Sequence, residues 1–214
     1  MNESQMLDLA YARAVAVSEL VAAGRWLDGR GFAPATSGNY SVRLDDGAFL
    51  VTVSGAHKGA LGPGDFLVIE ADGRVREQEK KPSAETSLHR VIYSMVPTAG
   101  AVLHTHSVNA TVLSRYLAGK TDLVLEGYEL LKAFRGVETH ETAISVPIFD
   151  NLQDMAALAV RVAARLGPAP AAPGFLIRGH GLYAWGMDTA EARRHVDAFE
   201  FLLACELERA RLMA

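Results

Sequence analysis

Two histidines one residue apart, His104 and His106 in AVLHTHSVNA, close a short apolar run. In a strand, residues i and i+2 face the same side about 7 Å apart. Two imidazoles so placed can converge on one ion, with Zn–N bonds of about 2.1 Å. A third imidazole, His180, stands in RGHG, where flanking glycines remove side chains on both sides and permit a tight turn. Taken singly, HTH is as well explained by a polar strand end, and RGHG by an exposed turn. Taken together they favour a three-histidine site, and three protein ligands with an open position are the pattern of catalytic zinc.

A second chemistry is written in the glycine- and hydroxyl-rich stretches. TSGNYS (36–41) and TVSGAHKG (52–59) each pair a Ser-Gly with an amide or a cation. Loops of this kind present backbone N–H groups and hydroxyls to an anion, and Lys58 adds charge. KPSAETSLH (81–89) sets Ser83 near a helix start, whose dipole favours a phosphate. Its Glu85 also suits a capping box, and the loops also suit plain turns between strands. The remaining histidines have ordinary readings: His57 borders a loop, His89 and His195 lie in helices, and His140 lies in the polar stretch ETHET.

The elements that must carry these residues follow from periodicity. Residues 4–29 form a long amphipathic helix closed by Gly29 and Gly31. NYSVRL, FLVTVS and DFLVIE are short strands separated by DDG, GPG and ADG turns. A helix over 85–95 precedes the strand carrying His104, and Ser107 caps a helix over 107–118. Further helical stretches cover 127–135 and 151–166, and ISVPIF is a short or edge strand limited by Pro147. FLIRGHGLYAWG is a hairpin turning at 178–181, and a last helix begins at Thr189 with Asp188 or Thr189 as its cap. Strands in hairpin order among helices predict a mostly antiparallel sheet covered on both faces.

Composition narrows the function classes. The chain has 214 residues, half of them hydrophobic, which suits one large domain. A net charge of −4 and scattered basic residues leave no footprint for nucleic acid. The most apolar N-terminal stretch is broken by Arg13 and Glu19, so no membrane span is expected. The single cysteine, Cys205, reads as a small core residue and suits a reducing, cytoplasmic setting.

TSGNYSVR, TVSGAHKG, KPSAETSLH, VLHTHS and RGHG occur in that order over nearly the whole chain and resemble the class II aldolase/adducin family. The resemblance implies a single three-layer α/β domain over residues 1–214, with a mostly antiparallel central sheet, helices on both faces, and assembly as a homotetramer. It implies one zinc ion per subunit on His104, His106 and His180. It also implies a phosphorylated ketose substrate, its phosphate held by Ser37, Gly38, Asn39, Ser54, Gly55 and Ser83. LEGYELLKAFRG (125–136) is similar to the segment in which the family's methylthioribulose-1-phosphate dehydratases carry an acid/base glutamate, and Glu129 is the matching position. Sugar-phosphate aldolases of the family rely instead on the glutamate matched by Glu85 and on a C-terminal tyrosine region, and this chain has no tyrosine after Tyr183. Dehydration in methionine salvage is thus the implied activity. A sugar-phosphate aldolase or epimerase and a non-enzymatic adducin-like module are the alternatives, and the three histidines argue against the module.

Overall fold

The computed structural model describes residues 3–44, 46–76 and 79–213. Its strands are β1 (Asn39–Arg43), β2 (Phe49–Thr52), β3 (Phe66–Ile69), β4 (Ala101–Thr105), β5 (Asp122–Glu126), β6 (Ala143–Phe149), β7 (Gly174–Ile177) and β8 (Gly181–Gly186). They form one sheet in the order β3-β2-β1-β4-β8-β7-β6-β5, antiparallel throughout except where β6 runs parallel to β7. The helices are α1 (Glu3–Gly29), α2 (Thr86–Met95), α3 (Val108–Tyr116), α4 (Met155–Leu166) and α5 (Thr189–Leu212).

Strand alternation sorts the apolar side chains into two cores. Ala101 and Leu103 of β4 face α1, α3 and α5, beside Leu20, Leu113 and Phe199. Val102 faces the other way, toward α2 and α4, with Leu88, Ile92 and Val162. By the same period His104 belongs to the α2 side. Helices on both faces of a mostly antiparallel sheet make the three layers that the sequence predicts.

The caps behave as their chemistry requires. Ser107 accepts from the Ala110 N–H at 3.0 Å, and Asp188 accepts from the Glu191 N–H at 2.7 Å. Asp154 accepts from the Ala157 N–H, so α4 starts at Met155 rather than near 151.

Two elements differ from expectation. Residues 122–126 form a strand, β5, with Leu123 and Leu125 buried and Val124 exposed, a half-covered edge whose alternation spans few residues. The helical stretch expected over 127–135 is one short 3-10 segment, Glu129–Ala133. With β5 as the edge, the strand of Pro147 is internal: Asp122 pairs with Pro147, and the ladder to β7 begins only at Ile148. Cys205 is half-buried rather than core. No helix among the described residues is long and apolar enough to cross a membrane.

Candidate metal centre and anion cleft

His104 is held from three sides. Asn39 of β1 and Tyr183 of β8 are its cross-strand partners, and its ring stacks on Tyr183 with centroids 3.9 Å apart. Its Nδ1–H donates to the Leu182 carbonyl at 3.0 Å, which leaves Nε2 as a lone pair turned to His106 and His180. His106 lies just past the end of β4, its backbone N–H bound to the Phe32 carbonyl. His180 arrives on the β7–β8 turn. Gly181 permits that approach, because a Cβ there would collide with the Thr105 carbonyl.

The three rings converge. His106 Nε2 and His180 Nε2 lie 2.9 and 3.3 Å from His104 Nε2. Glu85 Oε1 is 2.9 Å from His180 Nε2, and Oε2 is 3.6 Å from His104 Nε2. One ligand atom from each of the four residues falls within 4.8 Å of the others. Donors around a tetrahedral zinc lie about 3.4 Å apart for bonds near 2.1 Å, so this set fits such an ion. The His104 Nε2 lone pair can accept from a neighbouring ring N–H or, in its place, bind a cation.

Protonation states agree with that fit. Burial holds the fully buried His104 well below the usual imidazole value. Burial, with His180 nearby, pushes His106 down to about 4. Both are neutral at pH 7, the form that ligates metal. Burial alone would raise the Glu85 carboxyl. The hydrogen bond with His180, the flanking His104 and the Asn39 amide outweigh it and hold Glu85 well below the usual carboxylate range. Glu85 occupies the cap position of α2, yet its side chain makes no capping hydrogen bond. Its backbone N–H donates to Ser83 Oγ at 3.3 Å, and the carboxylate turns to the imidazoles instead.

His106, His180 and Glu85 line a cleft of about 880 Å³, and the fully buried His104 stands against them. Ser37, Gly38, Asn39, Ser54, Gly55 and Ser83 all line it. Gly38 is required where it stands: its φ is +79°, and a Cβ would press on the His104 carbonyl oxygen. The Ser37 hydroxyl is buried and without a hydrogen-bond partner, a free polar group at the cleft wall.

Three expected site residues are placed differently from the expectation. Lys58 is 1% exposed and does not line the cleft. Its ammonium donates to the Thr36 carbonyl at 2.8 Å and the Ala56 carbonyl at 2.6 Å, tying the two loops together from behind. Thr36 and Ala35 both have left-handed backbones (φ 66° and 51°), conformations that persist only when so held. The Asn39 side chain is engaged at both ends: its amide N–H donates to Glu85 Oε2 at 2.6 Å, and its carbonyl accepts from His89.

Glu129 is the third. Its side chain is 72% exposed, paired with Lys132 at 2.6 Å and His140 at 3.3 Å, and it does not line the cleft. The reason is strand direction. Glu126 ends β5 opposite Ala143, where β6 begins, whereas Asn151 of the cleft follows the end of β6. The length of β6, roughly 20 Å at 3.3 Å per residue, separates the two ends.

Residues passed over by sequence reasoning support the cluster. His180 Nδ1 meets Asn151 Oδ1 at 3.3 Å, and the Thr111 hydroxyl donates to the His180 carbonyl at 3.2 Å. His89, four residues after Glu85 and thus on the same helix face, is fully buried beside Asn39 and Ser41. That spacing was the available signal.

Comparison with known proteins agrees with this geometry. A protein of Pseudomonas paraeruginosa named methylthioribulose-1-phosphate dehydratase is 59% identical over 190 residues, 89% of this chain and 92% of that one. One of the same name from Marinobacter nauticus is 54% identical over 199 residues, 93% of this chain and 96% of that one. The crystal structure of L-fuculose-1-phosphate aldolase from Thermus thermophilus superposes with a TM-score of 0.74 at 28% identity, covering 94% of this chain and 99% of that one. The family model described as the class II aldolase and adducin N-terminal domain matches residues 18–207. The chain belongs to the class II aldolase and adducin family.

Proposed function

We propose that the protein is a zinc-dependent hydro-lyase that removes water from 5-methylthioribulose 1-phosphate in methionine salvage, giving 2,3-diketo-5-methylthiopentyl 1-phosphate. The observation that carries this reading is the convergence of three imidazole Nε2 atoms and Glu85 on a cleft walled by anion-binding loops. The dehydratase names of relatives 54–59% identical over about nine-tenths of the chain or more support the substrate.

His104, His106 and His180 would hold the ion. When bound, zinc supplies Lewis acidity toward the C2 carbonyl and so acidifies the C3 proton. The loop hydroxyls and N–H groups of Ser37, Gly38, Ser54, Gly55 and Ser83 bind the phosphate and fix the ketose chain. Asn39 acts through Glu85 rather than on the phosphate. Lys58 acts by holding the two loops at the correct separation. The C3–H bond breaks to a carboxylate, the C4 hydroxyl leaves as water after receiving a proton, and the enol product ketonises.

Glu129 is the carboxylate assigned to both proton transfers. Because Glu129 is exposed at the far end of the sheet, we propose that it serves the cleft of a neighbouring copy in a cytoplasmic homotetramer. A second reading, aldol cleavage of a sugar phosphate, is favoured by one observation: within one chain Glu85 is the carboxylate at the imidazoles. Incubating purified protein with 5-methylthioribulose 1-phosphate, with and without chelator, tests both. Loss of water that chelation abolishes supports the dehydratase, whereas cleavage to two carbonyl fragments supports the aldolase.

A further inference from the structure

Beside Glu85 runs a chain of buried polar groups, of which the proposed chemistry uses only Asn39. Glu85 Oε2 accepts from Asn39 Nδ2 at 2.6 Å. Asn39 Oδ1 contacts His89 Nε2. His89 Nδ1 lies 2.7 Å from Ser41 Oγ, which lies 2.7 Å from the Tyr93 hydroxyl. Asn39, Ser41, His89 and Tyr93 are all at least 94% buried, and they come from β1 and α2.

The direction of every hydrogen in this chain is determined. An ionised carboxylate only accepts, so the Asn39 amide presents its NH₂ to Glu85 and its oxygen to His89. An amide oxygen only accepts, so His89 donates from Nε2. A neutral imidazole with its proton on Nε2 accepts at Nδ1, so the Ser41 hydroxyl donates there. The Ser41 oxygen then accepts from Tyr93. Burial pushes His89 down to about 3, which keeps the ring neutral.

We propose that His89 is a positioning residue for the reaction: by donating from Nε2 it fixes the Asn39 amide, which in turn sets the rotamer of the Glu85 carboxylate at the imidazole cluster. The role rests on the catalytic reading of the cleft. Asn39 Oδ1 is the hydrogen-bond partner of His89 Nε2. Loss of that donor leaves the Asn39 amide free to flip and turn its oxygen on Glu85, so the carboxylate moves. Groups that support an active-site ligand in this way are worth about 10–100-fold in activity.

Two arms test the proposal on the zinc-loaded full-length protein. In the first, ring-¹⁵N-labelled wild type is studied by NMR from pH 5 to 9, with the His89 signals assigned by their loss in His89→Gln or His89→Asn. A neutral ring protonated on Nε2 is expected. A ring protonated on Nδ1, or a cation, overturns the proposal. In the second arm, His89→Gln sets an amide N–H near the Nε2 position, while His89→Asn sets its amide at the Ser41 end and leaves Asn39 Oδ1 without a donor. With 5-methylthioribulose 1-phosphate, His89→Asn is expected to lose about 10–100-fold in kcat. Its KM and zinc content shift in the same direction as in Glu85→Gln, and His89→Gln stays within about threefold of wild-type kcat. Equal losses in both variants, or no loss in His89→Asn, overturn it. If both variants fail to fold, the backbone-independent NMR arm on wild type decides, with His89 assigned through its coupling to Asn39. A wild type without turnover defeats the functional reading instead, and the tautomer again decides the relay.

Discussion

At the residue scale, the imidazole cluster presents nitrogen atoms close enough to share one ion. His104 has its tautomer set by the Leu182 carbonyl, so its Nε2 cannot donate to the two neighbouring rings. Substituting His104 or His180 by Ala is therefore expected to lower the zinc content of purified protein from about one per chain to well under half, with turnover nearly abolished. Elemental analysis checks the first part, and full metal content in His104→Ala would remove the assignment. The two carboxylates separate by a different measurement. Glu129→Gln is expected to keep zinc and KM while losing about 10²–10⁴-fold in kcat. Glu85→Gln is expected to disturb zinc content and KM as well, because Glu85 touches His180 and His104 directly. The reverse ranking favours aldol cleavage.

At the element scale, the loops before β1 and after β2 are kept together by one buried ammonium. Lys58→Met strips the Thr36 and Ala56 carbonyls of their donor, where a hydrogen bond to a charged group is worth roughly 1.5–3 kcal/mol. Thermal unfolding should register a loss of that size, and KM for the phosphorylated substrate should rise about tenfold with zinc retained. Ser54→Ala should raise KM without the loss of stability, which distinguishes a group that touches the anion from one that shapes its loop. The packing of α3 against α5 carries a pH dependence of its own. Burial pushes the Glu200 carboxyl up to about 7, partly offset by Ser107 and Asn109. A folded value raised above the unfolded one stabilises fully below about pH 4.5, and the contribution is lost as pH rises through 7. The span amounts to about 3 kcal/mol. Glu200→Gln should flatten this slope and raise Tm above pH 7, as scanning calorimetry at pH 5 and 8 can measure.

At the scale of the whole molecule, the proposed catalytic groups lie at two ends of one chain. His106, His180, Glu85 and the loop serines line the cleft, while Glu129 stands exposed at the opposite end of the β5–β6 pair. If a neighbouring copy supplies Glu129, then inactive Glu129→Gln and inactive His104→Ala proteins should restore activity when dissociated and reassembled together. Mixed assemblies contain clefts with intact imidazoles facing an intact Glu129. A recovered kcat of roughly a quarter of wild type per chain follows from random association, since half the clefts and half the donated carboxylates are intact. Activity that stays at the level of the separate variants would place the acid/base group within one chain.

Residue types and local spacing were enough to identify most of this protein. HTH at the end of an apolar run predicts two same-face imidazoles, and RGHG predicts a displayed third. The Ser-Gly loops sit where turns between short strands must be, and the helix caps Ser107 and Asp188 are legible from their positions alone. These are short-range properties, governed by the period of the element and by a few neighbouring backbone groups. What the chain order does not contain is which strand lies beside which, and in what register. Only the β1–β4–β8 pairing aligns Asn39, His104 and Tyr183 in one row, and only the packing of α2 on that row brings Glu85 and His89 to it. The same long-range arrangement buries Lys58 behind the loops it was expected to extend into. Antiparallel β5 carries Glu129 to the far end of the sheet although its motif follows the histidines closely in sequence. Such placements arise from contacts between residues tens of positions apart, and periodicity within a single element carries no information about them.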